Sequence, residues 1–378
     1  MKTSRYLEGK TELIVPAESL EQDPPPTFPV FFNPAASVNR DVSVAVVDAT
    51  SGSSFCDAMA GVGARGIRVA TEVKRVSTVA LVDFNEDALK LARRSAALNG
   101  IGRKCEFSNL ESSAYLYSRY GRERRFDYVD VDPFGTPVRQ LQAALSATAD
   151  GGILSVTATD TAVLCGVYPD VSRRRYGAQS LNNQFNHETG IRILLGAIAR
   201  LGASLDIGVE PVAAHSTRHY LRGFVRVAAG ALKADRALGS LGFVVWCPAC
   251  GQVERSTERG RTCAKCGKKA KSAGPLWAGG IADKSMVERA AGRAEQQGLK
   301  SAQGVLDSLV GVDSYPPWSF EIGTICSNLK IPSVPEERVF AALRSMGYRS
   351  RRTPFERKGV KTGASYAEVV SAVSAAVG

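Results

Sequence analysis

Asp132, Pro133 and Phe134 stand together where a strand-like run, Phe126 to Val131, ends, and they lead into Gly135-Thr136-Pro137. The run reads as a buried strand, and ligands of open α/β sheets bind outside the carboxyl ends of strands. A carboxylate, a backbone carbonyl and an aromatic ring are thus set at one point. The first two accept hydrogen bonds, and the ring is a flat platform for a planar base. The combination suits a substrate with a planar ring and an exocyclic amino group. An Asp-Pro turn after a strand is common by itself, so other residues must carry the argument.

A glycine loop follows the first clear strand. In Asp57-Ala58-Met59-Ala60-Gly61-Val62-Gly63-Ala64-Arg65-Gly66, the glycines 61, 63 and 66 satisfy GxGxxG, and Asp83 lies twenty residues past Gly63. The pattern fits a dinucleotide. It fits S-adenosylmethionine equally, whose ribose needs the same acid. Asp57, just before the loop, favours the methyl donor: it would accept from the donor's amino group, whereas a pyrophosphate would be repelled. Arg65 in the loop and Arg40 upstream are candidates to pair with the donor's carboxylate.

Two CxxC knuckles, Cys247/Cys250 and Cys263/Cys266, are separated by twelve residues and followed by Gly251 and Gly267. Four thiolates at this spacing suit a closed, tetrahedral, structural zinc. His187, His215 and His219 are too scattered to suggest a second metal site. Cys56 and Cys165 are the candidates for a nucleophilic mechanism, but neither sits in a Pro-Cys turn, and buried cysteine is usually a small hydrophobe.

The elements that must position these groups are legible as alternation. Candidate strands are 54–58, 79–82, 105–108, 128–131, 153–157, 205–210 and 224–228. Candidate helices are 63–71, 87–99, 137–149 and 187–200. The alternation predicts a doubly wound α/β sheet, a Rossmann-like domain. The organisation expected is a catalytic domain over 1–237 with an extended arm over 1–41, a zinc-ribbon insertion over 238–274, and a smaller α+β C-terminal domain over 275–378. Within the last, a helix from Glu336 to Met346 precedes a basic stretch, Tyr348 to Arg352, in the manner of a nucleic-acid module.

The 378 residues carry a net charge of +11, which points to a polyanionic partner. The basic residues cluster at 119–125, 173–175, 255–271 and 344–361, and the second and fourth are the candidates for phosphate contact. No apolar run approaches the ~20 residues of a membrane span, and no signal region follows Met1. A cytoplasmic protein without a membrane partner is expected, with a monomer as the default oligomeric state.

With these residues in view, the chain resembles the tRNA (guanine-26-N2)-dimethyltransferases over nearly its whole length. The resemblance runs through Glu8-Gly9, Phe31-Phe32-Asn33-Pro34, Asn39-Arg40-Asp41, Gly63 to Arg68, Asp83-Phe84-Asn85 and Asp130 to Pro137. It continues through Thr157 to Asp160, Leu164-Cys165-Gly166, His187-Glu188, His219 to Arg222 and Lys361-Thr362. It implies that Arg40, Arg65 and Asp83 bind the donor, that Asp132 is the catalytic carboxylate, and that Phe31 and Phe134 sandwich a flipped guanine. Where that family usually has Asp-Ala to hold the adenine, this chain has Glu111-Ser112. Three alternatives remain: an amino-directed methyltransferase on another RNA or on DNA, a dinucleotide oxidoreductase, and a non-catalytic RNA-binding scaffold. The charge and the Asp-Pro-Phe-Gly turn weigh against the oxidoreductase, and the intact donor pocket weighs against the scaffold.

Overall fold

A computed structural model describes residues 1–120, 125–356 and 358–377. The basic run at 119–125 and one position of the run at 344–361 therefore lie partly outside the described residues. Seven strands form the central sheet in the order Cys105–Ser108, Thr78–Val82, Ser54–Asp57, Phe126–Val131, Thr148–Ala158, Tyr220–Ala229, Ile207–Thr217. The first five run parallel; Tyr220–Ala229 is antiparallel to both its neighbours. Helices cover both faces, so the central strands are buried and largely apolar, as Val79 to Val82 illustrate.

The arm is more ordered than its proline content suggests. Thr3–Glu8 and Thr11–Pro16 form a hairpin that buries Leu13 and Val15. Ser37–Asp48 is a helix, where the sequence reading had an extended arm to residue 41. Its β-branched residues and burial of successive positions Val42 to Val47 hide any 3.6-residue period. Helices Ala64–Glu72, Lys284–Gln297 and Lys300–Leu309 pack against it.

Apolar packing after the sheet is divided differently from the expected boundary at 275. The helices Lys284–Gln297 and Lys300–Leu309 belong to the main core, through Met286, Val287, Ala290 and Leu306. A second core begins at Phe320. It is built from the strands Phe320–Glu321, Gly359–Thr362 and Ser350–Arg352 and the helices Ile322–Leu329, Glu336–Ser345 and Tyr366–Ala375. Between them, Leu241–Trp246, Val253–Ser256 and Lys271–Trp277 make a three-stranded sheet that carries the cysteines. Among the described residues, no helix is long and apolar enough to cross a membrane.

Candidate active site

The chain winds outward from Ser54–Asp57 through two strands, then returns to its other side at Phe126–Val131. Such a reversal opens a crevice at the carboxyl ends of the two neighbours. Asp57 ends one of these strands and Asp132 follows the other.

Gly63 starts the helix Ala64–Glu72 at φ +77°, and a side chain there would press on Ile67, Leu81 and Ala92 at 2.8–2.9 Å. Gly61, at φ +54°, instead faces open space, with the Phe31 carbonyl 3.8 Å from where a Cβ would sit. Backbone is thus offered to a ligand. The Gly61 N–H donates to Asp83 at 2.7 Å, and the Asn85 N–H donates to its other oxygen at 2.8 Å. Each oxygen keeps a further lone pair for a ribose hydroxyl. Asp57 is buried and accepts from the Gly66 N–H at 2.9 Å. Burial, and then the neighbouring Asp130 charge, push its carboxyl up to about 7.

Beneath the mouth lies a charge network that sequence reasoning missed. Arg65 is only 6% exposed and is paired with Asp132 through Nη2 and with Asp130 through Nε at 3.1 Å. Its Nη1 donates to Asn39 Oδ1 at 2.8 Å and Ser43 Oγ at 2.6 Å. Asp130 also pairs with Arg222 and accepts from Ser155 Oγ at 2.7 Å. Arg222 donates further to Thr157 Oγ1 at 2.5 Å and Ser43 Oγ at 2.9 Å. Burial alone would raise the Asp130 pKa, but the Arg222 and Arg65 guanidiniums overcome it and hold the carboxyl below its usual range. One signal was available: an acid and an arginine in strands otherwise apolar must find partners.

The turn Asp132–Gly135 is fixed from the next loop. The Gly135 N–H donates to Thr159 Oγ1 at 2.6 Å, and the Thr159 N–H donates back to the Gly135 carbonyl at 2.9 Å. Phe134 is thereby presented 70% exposed. Phe31 comes from an extended stretch whose neighbours Val30 and Phe32 are buried, and Asn85 Nδ2 ties that stretch down through the Pro29 carbonyl at 2.7 Å. The two rings touch edge to face, centroids 4.8 Å apart at 73°. They are brought together at the mouth, with no space between them for a base until one ring turns.

Other expected residues have partners within the protein. Arg40 holds Glu8 through Nε and Nη2, at 2.6 and 2.5 Å, and Nη2 also donates to the Asn33 carbonyl at 3.0 Å. Glu111 caps the helix Ser112–Ser118, accepting from the Ala114 N–H at 3.0 Å and from the Ser112 hydroxyl at 2.9 Å. Burial pushes the Cys165 thiol up to about 12 and Cys56 well above the usual range, so neither supplies a thiolate at neutral pH. Lys361, counted in a phosphate-facing cluster, is buried against Glu188 at 3.1 Å. Arg351 is spent on the carbonyls of Asp307 and Ser308 at 2.9 and 3.0 Å, at the end of Lys300–Leu309. Arg173, Arg174, Arg344 and Arg349 remain exposed.

The four knuckle cysteines lie with all sulfurs within 4.8 Å of one another; Cys247–Cys266 and Cys250–Cys263 are 3.6 and 3.7 Å apart. A tetrahedron of thiolates about 2.3 Å from zinc has edges of about 3.8 Å, so the donor set fits a structural zinc. Gly251, at φ +71°, lies directly under the Tyr366 ring of the C-terminal unit, which leaves no room for a side chain. Purified protein is expected to hold close to one equivalent of zinc. Less than about half an equivalent by metal analysis would remove this reading.

A model of the family described as N2,N2-dimethylguanosine tRNA methyltransferase matches residues 9–374 of this chain. A protein named tRNA (guanine(26)-N(2))-dimethyltransferase from Methanopyrus kandleri is 35% identical over 381 residues, covering 100% of this chain and 98% of the relative. One of the same name from Pyrococcus abyssi is 34% identical over 393 residues, covering 100% of both. Among solved structures, Trm1 from Pyrococcus horikoshii in complex with S-adenosyl-L-methionine is similar at a TM-score of 0.83. It is 32% identical, with 98% of this chain and 99% of that one covered.

Proposed function

The chain belongs to the N2,N2-dimethylguanosine tRNA methyltransferase family, and we propose that it transfers methyl groups from S-adenosyl-L-methionine to N2 of guanine 26 in tRNA. The observation that carries the reading is the mouth itself. Asp132, the Pro133 carbonyl and Phe134 stand at the carboxyl end of Phe126–Val131, beside the strand that leads into the glycine loop. The relative solved with the methyl donor has the same fold over nearly its whole length, which supports placing the donor on that loop, with Asp83 toward its ribose and Asp57 near its amino group.

The guanine N2 lone pair is delocalised into the ring and is a poor nucleophile. Asp132 accepts one N2 hydrogen and the Pro133 carbonyl accepts the other, which localises the lone pair on nitrogen. As the N–C bond forms and the methyl–sulfur bond breaks, nitrogen becomes cationic; Asp132 stabilises that charge and takes the proton. Arg65 holds Asp132 through Oδ2, which leaves Oδ1 for the substrate. The target base leaves its stack to reach the site, and Phe134, exposed and lightly held, turns from its contact with Phe31 so that the base enters between them. The zinc ribbon seats the C-terminal unit through Gly251 and Tyr366. That unit, with the exposed Arg344 and Arg349, and the Arg173–Arg174 surface form the tRNA footprint.

Phe134→Ala should lower kcat/KM for tRNA by about 5- to 150-fold, the range of one lost base–aromatic stack, with donor affinity unchanged. Unaltered kcat/KM would take Phe134 out of base binding. The reading as a whole is tested by methyl transfer from labelled S-adenosyl-L-methionine to unmodified tRNA transcripts with nucleoside analysis. N2-methylated or N2,N2-dimethylated guanosine that disappears when guanine 26 is replaced is expected. Donor binding without transfer would shift the substrate to another nucleic acid.

A further inference from the structure

The short helix Pro169–Tyr176 is tied to the active-site turn at both of its ends. At its start, the Val167 N–H donates to the Ala162 carbonyl at 2.9 Å, and the Thr159 N–H donates to the Gly135 carbonyl at 2.9 Å. Thr159 and Ala162 are three residues apart in the chain, so they are separated by at most about 11 Å. At its end, the Tyr176 hydroxyl donates to Asp160 Oδ1 at 2.6 Å and also faces Thr136 of the turn. Val167 and Tyr168, which lead into this helix, therefore lie beside the mouth, within reach of a nucleic acid whose base has entered it.

Both side chains are held outward by a fixed backbone. Gly166, at φ +93°, precedes them, and a Cβ there would fall 2.1–2.2 Å from the backbone of Leu181 and Asn182, so the loop is seated too tightly for a side chain. The Tyr168 carbonyl accepts from the Ser172 N–H at 3.1 Å, and Pro169 sets the first turn of the helix. Tyr168 thus stands at the N-cap, where Ser, Thr, Asp or Asn would satisfy an orphan N–H, and its side chain makes no such bond. Val167 and Tyr168 are 54% and 56% exposed. One exposed apolar side chain needs no explanation. Two adjacent ones on a fixed loop, one of them in place of a capping residue, are explained by a partner that covers them. The partner is anionic by the company they keep. Arg173 and Arg174 stand exposed on the same helix; Arg173 shares an exposed pair with Asp170, and Arg174 makes no ion pair among the described residues. Aromatic surface beside positive charge is the combination that binds unstacked bases along a phosphate backbone.

We propose that Val167 and Tyr168 form a wedge that enters the tRNA stack at the gap left by the target guanine, with the Tyr168 ring stacked on a base that flanks the gap. Extruding a base costs the stacking of its neighbours, and an aromatic or apolar side chain placed in the gap restores that contact. Stacked nucleotides rise about 3.4 Å per step, so a nucleotide beside the target falls within the separation found above. The inference rests on the tRNA reading above and adds to it the pair of residues that holds the stack open.

The test compares the full chain with Tyr168→Ala and Tyr168→Phe. On unmodified tRNA, Tyr168→Ala should lower kcat/KM by about 5- to 150-fold, the range of one lost base–aromatic stack, with donor affinity unchanged, and Tyr168→Phe should stay within about twofold of native because it keeps the ring. Two further transcripts report the gap directly. Each has an abasic residue in place of guanine 26 and, on one side of it or the other, a fluorescent purine whose emission falls on stacking. At one of the two positions, saturating native chain and Tyr168→Phe should quench the emission and Tyr168→Ala should not, a difference that a merely structural role for the loop would not produce. Tyr168→Ala within about twofold of native, an equal loss of activity in Tyr168→Phe, or the same emission with native and Tyr168→Ala at both positions would overturn the wedge while the methyltransferase reading stands. If the native chain neither binds nor methylates tRNA, both fall together.

Discussion

Asp132→Asn should lower methyl transfer to tRNA by roughly 10²- to 10⁴-fold, the range for a positioned acid–base group, with the loss in kcat. The amide keeps one carbonyl oxygen, so an N2 hydrogen can still be accepted. It neither balances the cationic nitrogen nor takes its proton, and those are demands of the transition state alone. Folding should survive, because Arg65 keeps Asp130 at 3.1 Å and its bonds to Asn39 and Ser43. Donor affinity, measured separately, should move little, since Asp57, Asp83 and the glycine loop are untouched. Asp132→Ala should be at least as damaging. Turnover within a few-fold of native, in a variant that binds donor and tRNA normally, would end the general-base role. A loss confined to KM would recast Asp132 as a binding residue.

That experiment aims at a residue visible in the sequence, and the contrast with its neighbours shows where such reading stops. Asp132 was legible because the run ahead of it reads as a strand and the turn behind it is compositionally distinctive. The glycines were legible because φ +54° and +77° at 61 and 63 demand them. The cysteines were legible because ligand spacing is local. The sheet strands followed from alternation, and the seven expected strands are the seven that form the sheet, with shifted ends; of the crossover helices, the short Ser112–Ser118 was not expected. Arg222 was not legible as a site residue, because its link to Asp130 crosses an intervening strand: Asp130 pairs in register with Ser155, and Arg222 with Thr157. Register is a property of the folded sheet and is absent from any one segment. The internal partners of Arg40 and Glu111 met the same limit. Each has the right residue type near the right loop, and the fold adds Glu8 and the backbone of the following helix as partners.

Glu188→Ala should cost about 3–5 kcal/mol of stability, the penalty for stripping the counter-charge from buried cations. Four donors converge on its Oε1: Arg192 Nη2 at 2.9 Å, Arg192 Nε at 3.2 Å, Lys361 Nζ at 3.1 Å and the Trp318 N–H at 2.8 Å. Lys361 belongs to the strand Gly359–Thr362 of the second core, while Glu188 and Arg192 belong to the helix behind the sheet. The pair is therefore a joint between two separately packed cores. Arg192 also donates to the carbonyls of Trp277 and Gly279, at 3.1 and 2.9 Å, but among the described residues Lys361 would keep the Pro316 carbonyl, at 3.1 Å, as its one hydrogen-bond partner, with the Asp313 charge farther off. An ammonium left so buried must lose its proton or pull the strand toward water, so the C-terminal unit should detach first. Protease cleavage between the two cores, before any loss of donor binding, would report it. The pH dependence follows in sign. Burial would raise the Glu188 pKa, but the Lys361 and Arg192 charges overcome it and hold the carboxyl below its usual range. Its contribution is thus present in full above the unfolded carboxyl's pKa of about 4.3 and is lost as pH falls through the lower folded value. Urea unfolding from pH 7 downward should show the native chain losing this contribution with acid, whereas Glu188→Gln starts lower and is flatter. Glu188→Gln within about 1 kcal/mol of native at pH 7 would mean that the joint is held by apolar contact alone. The paired change Glu188→Met/Lys361→Met separates the remaining cases: because it removes the stranded ammonium along with its partner, it should recover most of the loss.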